Sequence, residues 1–132
     1  MQKPNKYAVV ESKLKTDKTR KYLWNKINSP KKMIKIEGWD KDSLIKKISE
    51  NNYRITSQKE IILLVFIPEK GVDIVCAGNK NWPLAWFEIK GEKNCEIIHG
   101  EYKKVFKNKL RFKRDVEWLK KHFLKELKEI AK

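Results

Sequence analysis

Three β-prone runs follow one another between positions 60 and 90, at residues 60–67, 72–77 and 84–90, with only Pro68-Glu69-Lys70-Gly71 and the six residues 78–83 between them. A parallel crossover needs a dozen or more residues, so links this short and this rich in Gly, Pro and Asn join antiparallel neighbours. The chain is thereby committed to an antiparallel meander. Its first run is apolar on both parities and is expected to be buried on both faces.

The flanks extend this core. In 41–50, Leu44, Ile45 and Ile48 fall at helical spacing, Asp40 or Asp42 can cap the start and Asn51-Asn52 ends it, so a helix is expected before the meander. Residues 96–103 read as a further strand. In 114–131, Val116, Leu119, Phe123, Leu127 and Ile130 trace one apolar stripe among lysines, which predicts a long basic C-terminal helix of about five turns. Tyr7 to Val10 is short and β-prone, and 12–32, mostly basic with Tyr22, Leu23, Trp24 and Ile27 embedded, reads either as a helix or as a loosely packed arm, which allows 1–35 to be a basic arm. The expected fold is α+β: one domain, a mostly antiparallel sheet of four to five strands, a helix before the meander and a long basic helix after it.

Charge narrows the function classes. The 132 residues carry 32 Lys+Arg against 17 Asp+Glu, a formal charge of +15, yet 40% are hydrophobic, too many for a disordered basic tail. A folded domain this cationic suits a polyanionic partner, with nucleic acid ahead of an acidic membrane surface. No run approaches the ~18–20 apolar residues of a membrane span, and no apolar signal core follows the first residues, so a cytoplasmic location is expected. Cys76, Cys95, His99 and His122 lack the tight Cys-x-x-Cys spacing of a zinc knuckle. Free thiols and incidental histidines are the expected reading.

Three charged side chains, Asp73, Glu88 and Lys90, interrupt otherwise apolar strands, where an ionised group is costly unless paired or metal-bound. A hairpin symmetric about the bond between Lys80 and Asn81 sets Asp73 opposite Glu88 on one face, with Lys90 two residues on. Opposed carboxylates repel unless a cation lies between them. Such a pair suits Mg²⁺ or Mn²⁺, with the lysine positioned to activate water or steady developing charge. A salt-bridge cluster on a solvated sheet face accounts for the same residues without chemistry.

In this helix, meander, Asp and Glu-x-Lys order, 41–90 resembles the PD-(D/E)XK nuclease superfamily, which includes Holliday-junction resolvases and restriction endonucleases. The resemblance implies Asp73 and Glu88 as metal ligands, Lys90 as catalytic lysine, and metal-dependent hydrolysis of DNA phosphodiesters. Trp82 and Trp86 are then candidate base-stacking residues, and Lys109, Arg111, Lys113, Arg114, Lys120 and Lys121 a candidate phosphate-contacting surface. Two further readings stand beside it: a non-catalytic nucleic-acid-binding module using a basic, aromatic sheet face, and an adaptor for an acidic protein partner.

Overall fold

The computed structural model describes residues 6–58, 60–76 and 85–132. Its elements are β1 (Tyr7–Lys15), α1 (Arg20–Ile27), α2 (Pro30–Glu37), β2 (Leu44–Ser49), β3 (Asn52–Thr56), β4 (Ile61–Ile67), β5 (Gly71–Cys76), β6 (Ala85–Lys90), β7 (Glu96–Lys104) and α3 (Lys109–Ile130). The strands form one sheet in the order β1-β7-β6-β5-β4-β3-β2, and every neighbouring pair is antiparallel. All three helices serve one face of it.

That face is written into the alternation of the strands. Ile62, Leu64 and Phe66 of β4, Val72 and Ile74 of β5, Ala85, Phe87 and Ile89 of β6 and Ile97 of β7 are buried on the side where Leu127 and Ile130 of α3 close the core. The period of two sends the intervening residues outward. Helix α1 contributes Leu23 and Ile27, and α2 contributes Met33, all fully buried. Each helix starts on a side-chain cap: Thr19 accepts from the Tyr22 N–H, Ser29 from Lys32 with Pro30 at the first helical position, and Asn108 from Arg111. Helix α2 stops at Gly38, whose φ of 69° lets its N–H turn back to the Ile34 and Lys35 carbonyls.

Several expectations are corrected here. The sheet has seven strands, not four to five. The helix expected over 41–50 is the edge strand β2, fully exposed along its length and joined to β3 by a two-residue turn. Asn51, read as part of a helix stop, lies in that hairpin turn. Residues 7–35 hold β1, α1 and the start of α2, and Leu23, Ile27 and Met33 among them enter the core. Strand β4 is buried on one face only, Leu63 and Val65 being half-buried and Ile61 and Ile67 exposed. The long basic helix is present, one turn and a residue earlier than expected, from Lys109 to Ile130.

The β5/β6 register also differs. Asp73 faces Trp86, and Glu88 faces Gly71, two residues from the symmetric pairing. Gly71 can take that place because it has no side chain: a Cβ there would stand 2.1 Å from the Phe87 carbonyl oxygen. A slip of two keeps parity, so Asp73 and Glu88 still share a face, but diagonally.

Burial therefore separates two leucines. Leu127→Ala should cost about 2–5 kcal/mol, whereas Leu44→Ala on the exposed edge strand should stay within about 0.5 kcal/mol. Urea unfolding monitored by circular dichroism measures both; equal losses would put β2 in the core.

Candidate functional site

The outward sheet face carries the residues that the sequence singled out. Asp73 and Trp86 are half-buried there, and Glu88 and Lys90 are exposed. Trp86 lies over Gly100 and against Tyr102, with ring centroids 5.2 Å apart, and Lys90 pairs across the ladder with Glu96. Burial and the neighbouring Glu88 raise the Asp73 pKa, so the two carboxylates do sense each other. The structure brings these four side chains to one face, as an open surface. Trp82 lies outside the described residues. Lys109, Arg111, Lys113, Arg114, Lys120 and Lys121 are exposed on α3, between its start and its middle turns.

A different set of residues converges on the opposite face. His99 of β7 is 1% exposed, the one polar or charged residue buried among those described. The register of the ladder aims it inward between Ser12 and Phe87. Its ring stacks on Phe87 at 3.9 Å with an interplanar angle of 9°, and meets Phe123 of α3 at 4.3 Å. Its Nδ1 lies 2.9 Å from the Trp86 carbonyl oxygen. A carbonyl can only accept, so Nδ1 carries the proton and Nε2 is left with its lone pair bare.

That lone pair points at two carboxyl groups. Glu37 Oε1, from the last residue of α2, is 3.4 Å from Nε2, and Glu126 Oε2, from α3, is 3.5 Å from it. The Gly38 cap fixes where α2 ends and so where Glu37 stands. Glu126 reaches inward one residue before the core anchor Leu127, and its second oxygen is 2.8 Å from His122 Nε2, one turn earlier. Glu37 Oε1 and Glu126 Oε2 are buried and without a hydrogen-bond partner. Among the described residues this is the set of three potential metal ligands that converges, with its ligand atoms within 4.8 Å of one another.

The electrostatics follow from burial. Burial first, and the Glu126 carboxyl second, push Glu37 up to about 9. Burial likewise lifts Glu126 to about 7, and Glu101, which faces the same interior from β7, adds to both. Burial lowers His99 to about 4. Near neutral pH the imidazole is uncharged and Glu37 is a neutral acid, so the contacts of His99 are not ion pairs.

The cluster reaches solvent at one edge. Glu126 and His122 also line a cleft of about 590 Å³ between α1, α2 and the second half of α3. Five lysines line it as well, Lys26, Lys32, Lys35, Lys125 and Lys132, with Glu129 and the apolar Ile36 and Ile130. Sequence spacing gave no sign of this: Glu37, His99 and Glu126 lie on three separate elements, and His99 read as incidental. The one available signal was a histidine at an inward position of an apolar strand. Cys95, far from this cluster in the β6–β7 connection, is a buried free thiol.

No protein-family profile and no curated protein matches the sequence. Solved structures do match. The Aha1 dimer from Colwellia psychrerythraea superposes with a TM-score of 0.56 at 15% identity, covering 94% of this chain and 96% of that one. The di-domain ARO/CYC protein BexL from the BE-7585A biosynthetic pathway gives a TM-score of 0.63 at 10% identity. That match covers 98% of this chain and 51% of BexL, so the chain spans about half of that protein. A conserved protein from Geobacillus kaustophilus gives 0.54 at 14% identity, over 94% and 95% of the two chains. At such identities the likeness is one of fold: a helix-grip arrangement, an antiparallel sheet closed around a long C-terminal helix.

These likenesses overturn the nuclease and DNA-binding expectations. The shared architecture is that of Aha1 and BexL, and the leading helix of the nuclease core is an edge strand here. Among the described residues no helix is long and apolar enough to cross a membrane.

The proton inventory of the cluster sets a pH dependence. Between about pH 4.5 and 9 the folded chain holds a Glu37 proton that the unfolded chain releases, and Glu126 acts in the same direction up to about 7. Folded His99 binds fewer protons than unfolded between about 4 and 6.5, which opposes the glutamates there only. Above 6.5 nothing in the cluster opposes them, so stability falls as pH rises towards 9. Glu37→Gln removes the group that must ionise. It should be nearly neutral at about pH 5 and stabilising by on the order of 2 kcal/mol at about pH 9. Denaturant midpoints across that range check the sign; a variant less stable than the parent at the alkaline end would contradict the assignment.

Proposed function

We propose that the chain is a small-molecule-binding domain whose ligand is an amphipathic organic anion seated in the cleft between α1, α2 and α3. The observation that carries this is the lining: five lysines against Glu126 and Glu129, around an apolar floor of Ile36 and Ile130, in a cavity of about 590 Å³. Ligand cavities fall at roughly 300–1,000 Å³, with apolar walls and a few polar groups that fix orientation. The lysines recognise the anionic end, and the isoleucines take the apolar body. The edge of the buried cluster, Glu126 with His122, offers hydrogen-bonding groups to the ligand's inner end.

The fold supports this reading, because it sets α1, α2 and the second half of α3 side by side with the cleft between them. BexL, a protein of a biosynthetic pathway, has the same architecture. The overall charge of +15 raises the local concentration of any anion and speeds its capture.

The test uses 8-anilino-1-naphthalenesulfonate, an anionic amphipathic fluorophore, with native packing monitored by near-ultraviolet circular dichroism. The parent should bind it saturably at low salt. The pair Lys35→Glu and Lys125→Glu should weaken binding at least about tenfold, equivalent to about 1.4 kcal/mol, whereas Lys47→Glu on the distant β2 should not. Equal affinity in all three proteins would place the ligand elsewhere and end this reading.

A further inference from the structure

We infer that Glu37, His99 and Glu126 form a binding site for one divalent transition-metal ion of the Zn²⁺ type. The inference goes beyond the proposed ligand in the cleft and does not depend on it. Its ligands come from α2, β7 and α3, so an ion there would tie α2 to the packed pair β7 and α3.

Geometry is the first ground. A tetrahedral Zn²⁺ site has bonds of about 2.0–2.1 Å to histidine nitrogen and carboxylate oxygen, which places its ligand atoms about 3.3–3.4 Å from one another. His99 Nε2 stands 3.4 Å from Glu37 Oε1 and 3.5 Å from Glu126 Oε2. Those separations exceed the usual 2.7–3.2 Å of a nitrogen–oxygen hydrogen bond. The two edges at His99 match a coordination polyhedron better than direct hydrogen bonds, and the third ligand pair lies within 4.8 Å.

The second ground is what the atoms lack. Glu37 Oε1 and Glu126 Oε2 are buried acceptors without a partner, and the Glu126 side chain is nine-tenths buried. His99 Nε2 cannot serve both of them as a donor, because the ring proton is held at Nδ1 by the Trp86 carbonyl. A dication bound there displaces the proton of Glu37, draws on one donor atom from each of the three side chains and offsets the charge of the two carboxylates.

The surroundings are those of a metal site. A metal-ligating histidine almost always gives its other nitrogen's proton to a carbonyl or carboxylate, and Trp86 supplies that carbonyl. His122 holds the remaining oxygen of Glu126 at 2.8 Å, which fixes the carboxylate's orientation. Phe87 and Phe123 clamp the imidazole plane. The mixed nitrogen and oxygen donors select a late first-row ion over Mg²⁺, which prefers all-oxygen octahedral surroundings and keeps several waters. Three protein ligands leave one tetrahedral position for water.

Titration of the metal-free 132-residue chain with Co²⁺ tests the site, because four-coordinate Co²⁺ absorbs visible light far more strongly than hexa-aquo Co²⁺. The expected result is an intense, red-shifted visible band, saturable at one ion per chain, displaced by an equivalent of Zn²⁺ and unaffected by excess Mg²⁺. Glu37→Gln and Glu126→Gln keep shape and should each weaken binding by more than the roughly 10–100-fold that outer partners of a metal site contribute. Absence of a saturable spectrum in the parent overturns the inference, as does parental affinity in either folded variant. If both variants fail to fold, the parent titration decides alone. Loss of the anionic fluorophore's binding with Co²⁺ binding intact would defeat the cleft reading and leave the metal site standing.

Discussion

The imidazole of His99 is the point at which the sheet and two of its helices are joined, and the interior is arranged around keeping it there uncharged. Its Nδ1–H is committed to the Trp86 carbonyl, its faces to Phe87 and Phe123, and its Nε2 faces Glu126 and the neutral acid Glu37. A polar ring 1% exposed is tolerated only if each of its hydrogen-bonding atoms is accounted for. Meeting that condition needs β6, β7, α2 and α3 together. Apolar burial supplies most of the stability, but these polar contacts determine how α2 and α3 sit on the sheet.

The same constraint explains where chemistry can occur. Fully enclosed carboxyls would be inert, whereas here Glu126 and His122 also border the lysine-lined cleft. Charge is thus distributed in two layers, a neutral or ion-occupied floor and a cationic wall. The outward face with Asp73, Trp86, Glu88 and Lys90 has no such enclosure. That is why a carboxylate pair legible in the sequence became a surface feature, while a histidine read as incidental became the centre of the interior.

What the sequence revealed depended on whether the signal was local. The meander between 60 and 90 was readable because Pro68, Gly71 and the residues 78–83 mark its turns, and α3 because Phe123, Leu127 and Ile130 repeat at helical spacing. The span 41–50 misled because Leu44, Ile45 and Ile48 fit a helix while belonging to an exposed edge strand, where packing does not enforce alternation. Pairing with β3 overrode local propensity there. Ser29-Pro30 and Gly38 do mark the two ends of α2, a start and a stop readable without coordinates. The site itself was illegible for a plain reason: Glu37, His99 and Glu126 are far apart in the chain, and only the sheet order and the helix placements bring them within 4.8 Å.

The central claim is that His99 is neutral, protonated on Nδ1, and presents a bare Nε2 to two carboxyls. Nitrogen-15 chemical shifts of the imidazole in the metal-free protein read this directly, since protonated and bare ring nitrogens resonate far apart. The account requires one protonated nitrogen, correlated with the ring carbons as Nδ1, and no change down to about pH 5, well above the value near 4 at which burial allows it to charge. An imidazolium at neutral pH, or a proton on Nε2, would contradict the arrangement on which the cluster and the metal site rest.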